Sequence, residues 1–539
     1  TMSWLMIETV GLIATVFFLL YYYSMSKLDY WRKRGVKGPK PLPFLGNFKD
    51  VLLAKESTMD CFERAYKEFK DEPMVGMYGS HEPLLILRDL DLIKDVLIKD
   101  FNKFAQRTQG AIREVEPLSE QLFRLDAERW RPLRLKLSSF FSSGKLKEMF
   151  HLFVECSDNF EKYLEKMVEK GGLVECRDAA AKFSTDVIGA CAFSIHTNAL
   201  TDENSQFRKM GKQALATNLQ QFLNDRLREY PFLFKIFGRF FVDHEVTNFF
   251  ANSIKDAMDY RIQNNVHLRD VIDILADIRE NPTKCGLKSF VLIKSLSLFK
   301  SMNEKKYETL MDFEHVTEYI ILFIFAEADN LFLTSQAVLF FLAGFENASL
   351  TISNALYELA WKPEIQEKAR AEIVNVLQKY DGKITYDGLE EMKYLEACIF
   401  ETLRMYPVLQ WLSREAMETY TFTGTKVTIP KGQQVFLPIY AIQRDPDIYP
   451  NPDNFDPERF TDDKIKTRHS MTHLPFGDGP RHCSGIRLAK KQLKVGLVTV
   501  LSKFKVEVCE KTRKIYQKDK KPLFLLQPVD GIHLKISKV

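Results

Sequence analysis

Residues 476–485 read Phe-Gly-Asp-Gly-Pro-Arg-His-Cys-Ser-Gly. Three glycines and one proline within ten residues favour a tight loop, because glycine reaches left-handed backbone conformations and proline fixes φ. Such a loop can direct several backbone N–H groups at the sulfur of Cys483. A helical pattern begins at residue 486, and the positive end of a helix favours a thiolate over a thiol.

The other end of the chain predicts a membrane anchor. Residues 3–25 are mostly apolar and carry one charge, Glu8. Roughly 20 such residues in a helix span the hydrocarbon core of a bilayer. Basic residues follow from Lys27 to Arg34, which places that side of the membrane in the cytosol. No basic segment precedes the apolar run, so the pattern favours an uncleaved transmembrane helix over a signal peptide.

Residues 26–49 form a basic and proline-rich hinge, in which alternating prolines favour a stiff, extended spacer. The remainder, 50–539, is predicted to be the main domain. Its helical patterns are 145–169, 333–361, 364–380, 388–405 and 486–504. Its strand patterns are 73–88, 420–429, 433–437 and 522–536. Helices prevail, so we expect a mainly α fold with small β-sheets.

One block does not follow these patterns. Residues 284–328 mix apolar runs with lysine clusters and lack capping signals. The block separates two helical patterns that a short loop would otherwise join. We interpret it as an atypical insertion, and one hypothesis is that it derives from an unspliced intron or a wrong gene model.

Charge and cysteine content restrict the function. The chain has 76 basic and 72 acidic residues, a net charge of +4, which gives no basis for nucleic-acid binding. Its eight cysteines include no C-x-x-C or C-x-x-H pair, so a structural zinc site is not predicted.

The loop carries a specific resemblance. The pattern Phe476-x-x-Gly479-x-Arg481-x-Cys483-x-Gly485 resembles the haem-binding signature of the cytochrome P450 family. The resemblance implies a single triangular haem-thiolate fold, with Cys483 as the axial ligand of haem b iron. It further implies that Arg481 pairs with a haem propionate and that Phe476 shields the sulfur.

Other positions agree with the resemblance. Glu401 and Arg404 are three residues apart in a helical pattern, and the family pairs such residues with a downstream arginine, which is Arg459 here. Trp130 and Arg134 share a helix face suited to a carboxylate, and the resemblance makes that carboxylate a haem propionate. Arg107 and Arg414 are further candidates for the same role.

The segment 340–349, FFLAGFENAS, resembles the oxygen-activating segment of the family. There, Ala343 and Gly344 would leave room above the haem, and Glu346 would be the acid. The next position is usually threonine but is Asn347 here. Asparagine can donate a hydrogen bond but has no hydroxyl to relay a proton, so we question how well oxygen use is coupled to product formation.

The resemblance is closest to insect microsomal members that act on plant toxins and insecticides, through LAGFE, PFGDGPRHC and the tail GIHLK. It implies a monooxygenase in the endoplasmic reticulum membrane with its catalytic domain on the cytosolic side. Its substrate would be a lipophilic small molecule, and NADPH-cytochrome P450 reductase and cytochrome b5 would supply electrons. A basic docking face is predicted from Lys136, Lys145, Lys147, Lys490, Lys491 and Lys494.

Two alternatives remain at this point. Asn347 would also suit a haem-thiolate isomerase or dehydratase that rearranges a peroxide without a reductase. The block 284–328 would suit a non-catalytic haem- or lipophile-binding protein. The intact cysteine loop argues against the second alternative.

Overall fold

The described residues form two compact units. The computed structural model describes residues 2–79, 82–108, 110–216, 223–224, 227–228, 230–281, 314–520 and 525–539. The first unit comprises Thr1–Thr108, Phe400–Cys483 and Tyr516–Val529. The second unit comprises Gln109–Ile399, Ser484–Ile515 and Asp530–Val539. Residues 284–313 of the atypical block lie outside the described residues.

Helices dominate the described residues, as predicted. In chain order they are α1 (Met2–Lys27), α2 (Tyr30–Lys33), α3 (Lys49–Leu52), α4 (Thr58–Glu68), α5 (Leu90–Lys94), α6 (Ala127–Ser138), α7 (Ser143–Glu148), α8 (Phe150–Glu169), α9 (Cys176–Phe193), α10 (Gln206–Ala214), α11 (Pro231–Phe237), α12 (His244–Asn264), α13 (Val271–Glu280), α14 (Glu314–Trp361), α15 (Pro363–Lys379), α16 (Tyr386–Glu391), α17 (Lys393–Met405), α18 (Ile439–Ile442), α19 (Asp462–Thr467) and α20 (Ile486–Lys503).

The sheets are small, which confirms the predicted class. The strands are β1 (Met74–Tyr78), β2 (Pro83–Leu87), β3 (Leu173–Glu175), β4 (Leu412–Glu415), β5 (Tyr420–Thr421), β6 (Thr428–Ile429), β7 (Gln434–Leu437), β8 (Phe504–Glu507) and β9 (His533–Lys538). The first unit holds a sheet of order β1-β2-β7-β4 and the ribbon β5-β6, and the second holds β3-β9-β8. In the first unit β2 and β7 are parallel, with Leu85 opposite Val435, and the neighbouring pairs are antiparallel.

The core of the first unit surrounds its four-stranded sheet. Leu85, Leu87, Val435 and Leu437 are fully buried there and pack with Phe104. Alternate residues of a strand point to opposite faces, and both faces of β2 are buried, so this strand reads as a continuous apolar run.

The core of the second unit forms around α14 and α9. On α14, Phe341 and Phe345 are buried, with ring centroids 5.4 Å apart. A Cβ atom on Gly344 would lie 2.5 Å from Cδ1 of Ile188 on α9. The missing side chain therefore permits the close approach of these two helices.

Two predicted helices are each divided in the structure. The pattern 145–169 is divided at Met149, and the pattern 388–405 is divided at Met392. The second division has a tertiary cause: the Glu372 carboxylate on α15 accepts hydrogen bonds of 2.8 Å from the backbone N–H groups of Tyr394 and Leu395. These N–H groups begin α17 and have no partner within the helix, so a side chain from another helix caps it.

The N-terminal segment is helical from Met2 to Lys27. Several of its large apolar side chains are exposed, including Val10, Leu12, Phe18 and Tyr22. Its role as an anchor stays a prediction. By length and composition, one helical stretch among the described residues, Asn330–Trp361, could cross a membrane, but 61% of its apolar window is buried inside the protein.

Candidate functional site

The cysteine loop closes tightly in the first unit. The backbone N–H of Cys483 donates to the carbonyl of Phe476 at 2.8 Å, and that of His482 donates to Gly479 at 3.0 Å. The N–H of Gly477 donates to Leu474 at 3.0 Å. These bonds confirm the tight loop that the glycine and proline content predicts.

Two glycines of the loop are structurally required. Gly477 has φ +68° and Gly479 has φ +71°, values that other residues adopt only with strain. A Cβ atom on Gly479 would lie 1.9 Å from the carbonyl oxygen of Leu97. Any side chain there would displace the loop.

Among the described cysteines, Cys483 is the one with an exposed side chain. Burial raises the pKa of Cys61 to about 12, and it also raises the pKa values of Cys156, Cys176 and Cys191. These thiols stay protonated at neutral pH and are poor metal ligands. No group of three or more His, Cys, Asp or Glu side chains suited to a metal occurs within the described ranges.

Two of the predicted arginines, Arg107 and Arg481, form hydrogen bonds that support the cysteine loop. Arg481 is 3% exposed, and its Nε donates to the carbonyl of Ala105 at 2.9 Å. Nη2 of Arg107 donates to the carbonyl of Arg481 at 3.2 Å. The segment at Ala105 and Arg107 therefore supports the loop that ends at Cys483.

Arg414 on β4 is a buried cation. It is 1% exposed, and burial lowers its pKa to about 10, so it stays charged at neutral pH. Its Nη1 donates to the carbonyl of Ser413 at 2.8 Å, while Nε is buried and has no hydrogen-bond partner in the described part of the chain. A buried charge of this kind calls for an anion. The unit that carries Cys483 thus also carries a buried cation.

The predicted E-x-x-R group is confirmed as a buried cluster. Arg404 donates from Nε and Nη2 to the two carboxylate oxygens of Glu401 at 2.6 and 2.8 Å. Nε of Arg459 lies 3.4 Å from Glu401. The backbone N–H of Asp456 also donates to Glu401, at 2.9 Å. The cluster joins α17 to the segment that leads to the cysteine loop.

Gln443 is a member of this arrangement that no sequence pattern indicated. It is fully buried, and its Nε2 donates to the carbonyls of Leu403 and Arg404 at 3.0 Å each. Its Oε1 accepts from the N–H of Leu474 at 3.0 Å, where the cysteine loop begins. An isolated glutamine has neither periodicity nor spacing, so the sequence carries no signal for it.

In the second unit, α14 carries the predicted oxygen-activating segment. Ala343 is exposed and Asn347 is half-buried, and residues four apart share a helix face. Gly344 instead lies toward Ile188, so its small size serves helix packing. The Asn347 carbonyl accepts a hydrogen bond from Thr351 Oγ1 at 2.8 Å.

Glu346 is buried and ion-paired. Its Oε1 lies 2.6 Å from Nη2 of Arg177, at the start of α9. Arg177 was not predicted, because its partner is 169 residues away in the chain. A buried carboxylate held by a guanidinium has a fixed position.

Trp130 and Arg134 lie on α6, one turn apart as predicted. Asp126 caps this helix by accepting from the N–H of Arg129 at 2.9 Å. Trp130 is 4% exposed, and Nη1 of Arg134 donates to Oγ of Ser484, the residue after Cys483 in the chain.

The predicted docking lysines do not all reach the surface. Lys494 is buried and lies 2.8 Å from Glu396, and Lys491 is buried and lies 2.6 Å from Glu390. The prediction of an exposed docking face is therefore wrong for these two residues. Their long side chains satisfy carboxylates and carbonyls inside the unit instead.

The chain is also similar in sequence to known proteins. The cytochrome P450 family profile matches residues 36–326 and 296–535, so the matches overlap within the block 284–328. Probable cytochrome P450 6a14 of Drosophila melanogaster is 35% identical over 99% of this chain and 100% of its own length. Cytochrome P450 6B1 of Papilio polyxenes is 35% identical over the same shares. Cytochrome P450 6k1 of Blattella germanica is 34% identical over 94% of this chain and 92% of its own.

The chain therefore belongs to the cytochrome P450 family. It is a cytochrome P450 monooxygenase, an oxidoreductase, and it binds haem b. The isomerase and the non-catalytic alternatives are set aside by this membership.

Proposed function

We propose that this monooxygenase inserts one oxygen atom of O2 into a lipophilic xenobiotic, such as an insecticide or a plant toxin. Electrons come from NADPH through NADPH-cytochrome P450 reductase, with cytochrome b5 as a second donor. The observation that carries the proposal is the exposed sulfur of Cys483 at the end of a hydrogen-bonded glycine loop. The similarity to curated insect cytochrome P450 6 proteins supports the substrate class.

We infer the following roles for the haem site. Cys483 binds the iron, and its thiolate donates electron density that favours O–O cleavage. Phe476 beside it is half-buried and shields the sulfur. The partners that we assign to the haem propionates are Arg107, Arg414, Arg481, Trp130 and Arg134.

Three residues of α14 take part in oxygen activation in this proposal. Ala343 lies on the exposed face of α14 and leaves room above the haem. Asn347 lies one helical turn later, and its side-chain amide donates a hydrogen bond in the oxygen pocket. Glu346 moves protons when its contact with Arg177 opens, because a carboxylate can pick up and release a proton whereas an amide cannot.

Membrane association is part of the same proposal. The 26 residues of α1 suffice to span a bilayer, and those of its apolar side chains that the structure describes, such as Val10 and Phe18, are exposed. A second exposed apolar surface lies on α11 and the turn after it, at Phe232, Ile236, Phe237 and Phe240. Large exposed apolar surfaces mark contacts with membranes or proteins. We place the protein on the endoplasmic reticulum membrane, with its catalytic part on the cytosolic side.

The first test is the reduced carbon-monoxide difference spectrum of the purified protein. We expect a thiolate-type Soret band in the parent and in a Cys509→Ala control, and its loss in Cys483→Ala. An imidazole-type band in the parent, or a thiolate band that survives in Cys483→Ala, would refute the ligand assignment. Oxidation of an insecticide panel that proceeds without NADPH and reductase would refute the proposed electron source.

A further inference from the structure

A small cavity of about 200 Å³ lies in the second unit. Its walls come from the turn at Pro117–Ser119, the end of α10, the start of α12 and the α14 residues Val338 and Leu342. Pockets for whole small molecules usually measure about 300–1,000 Å³. This cavity therefore has room for only part of a ligand.

One carboxylate organises the polar side of the cavity. Glu116 accepts a hydrogen bond of 3.2 Å from Nη1 of Arg124 and one of 3.0 Å from Nδ2 of Asn224. It is also ion-paired to Nη2 of Arg228. Two guanidinium groups and one amide satisfy the carboxylate, so Glu116 itself needs no further partner.

Two residues that bind Glu116 each have one further polar atom to consider. Oδ1 of Asn224 and Nε of Arg228 are buried, and neither has a hydrogen-bond partner within the described ranges. Asn224 is 4% exposed, and both residues line the cavity. Because Nδ2 of Asn224 must donate to Glu116, the acceptor Oδ1 is the atom left over. Leaving such buried groups unsatisfied is energetically unfavourable.

The two atoms form a matched pair. Asn224 and Arg228 are four residues apart, and the N–H of Arg228 donates to the carbonyl of Asn224 at 3.1 Å. This bond brings the two residues close together. The lining of the cavity thus includes a hydrogen-bond acceptor, Oδ1 of Asn224, and a donor, Nε of Arg228. A hydroxyl group can donate and accept at once, whereas an ether or a carboxylate cannot donate.

We propose that Asn224 and Arg228 form an alcohol-recognising subsite. The substrate hydroxyl donates to Oδ1 of Asn224 and accepts from Nε of Arg228, while Val338 and Leu342 contact the adjoining carbon atoms. The inference rests on the proposed function, since it specifies which lipophilic molecules the monooxygenase prefers. Lipophilic alcohols are the preferred substrate class.

The test compares two isomers with the same atoms, undecan-1-ol and 1-methoxydecane. Each is titrated into the full-length holoenzyme, and binding is followed by the change in the haem absorption spectrum. We expect the alcohol to bind about tenfold more tightly than the ether. Asn224→Leu should reduce this ratio to about one. Arg228→Lys keeps the charge next to Glu116 but lacks Nε, and it should reduce the ratio to about threefold.

Gln213→Leu is the matched control. Gln213 also lines the cavity, but its amide already donates to Asp243 and Glu245 at 2.9 and 3.2 Å, so the ratio should stay near tenfold. Each variant must keep the thiolate-type carbon-monoxide band, which shows that it has folded and bound haem.

Equal binding of both isomers to the parent would overturn the subsite and mean that a bound water satisfies the two atoms. A preference that persists in both Asn224→Leu and Arg228→Lys would also overturn it, as would binding of neither isomer. A parent that binds the alcohol preferentially but oxidises no lipophile with reductase and NADPH would instead refute the proposed function.

Discussion

Glu401 and Arg404 are both fully buried, and two parallel N–H···O bonds of 2.6 and 2.8 Å join them. Glu367 and Arg370 have the same spacing on α15, but the Glu367 side chain is 73% exposed and its contact with Arg370 is 3.3 Å. Identical spacing therefore produces a structural ion pair in one helix and a surface contact in another.

The first prediction uses this contrast. Glu401→Gln removes the charge that neutralises buried Arg404, and breaking a buried pair costs about 3–5 kcal/mol. We expect that loss in the free energy of unfolding in urea, together with loss of haem. Glu367→Gln should change the free energy by less than about 1 kcal/mol. Similar losses in both variants would contradict a special role for Glu401.

The second prediction concerns Arg414. Its buried charge has no carboxylate partner among the described residues, and we assign that role to a haem propionate. Arg414→Leu should release haem to excess apomyoglobin about tenfold faster than the parent, as expected when one charged hydrogen bond is lost. Arg32→Leu, at an 80% exposed position, is the control. Unchanged haem release in Arg414→Leu would exclude this residue from the propionate site.

The third prediction concerns Asn347. An amide donates a hydrogen bond but cannot relay a proton, so part of the NADPH consumed should yield hydrogen peroxide. Asn347→Thr should raise the ratio of product to NADPH about twofold or more, and Asn347→Ala should lower it. The ratio is measured with purified reductase and one substrate. A threonine variant that couples no better than the parent would show that protons arrive by another route.

The fourth prediction concerns Glu396. Burial alone would raise its pKa, but Lys494 and Lys490 outweigh burial and hold the pKa at about 2. The folded pKa lies below the unfolded one of about 4.3, so the pair stabilises the fold above pH 4.3 and loses that effect as the pH falls toward 2.

We therefore expect Glu396→Gln to lower the free energy of unfolding at pH 7 by about 1–2 kcal/mol, a value reduced for solvent screening. The difference from the parent should shrink between pH 4 and pH 3. Glu390→Gln, whose side chain is 59% exposed, is the control. A difference that stays constant from pH 7 to pH 3 would show that charge is not the cause.

Local patterns predicted the long helices well. The patterns 364–380 and 486–504 correspond to Pro363–Lys379 and Ile486–Lys503, because amphipathic periodicity is a property of the segment itself. The division at Met392 was missed, because the carboxylate that caps α17 belongs to α15. The strand predicted at 522–536 begins too early in the chain, since β9 spans His533–Lys538.

Residues that are neighbours in the chain were sufficient to predict the cysteine loop, the family and the helical class, because each of these depends on local sequence. The tertiary structure alone decided which E-x-x-R pair is buried and which lysines reach the surface. It also decided that Gln443 supports the loop, that Arg177 holds Glu346, and that Asn224 and Arg228 border one cavity. These contacts join residues up to 169 positions apart, so they arise only when packed elements bring distant side chains together.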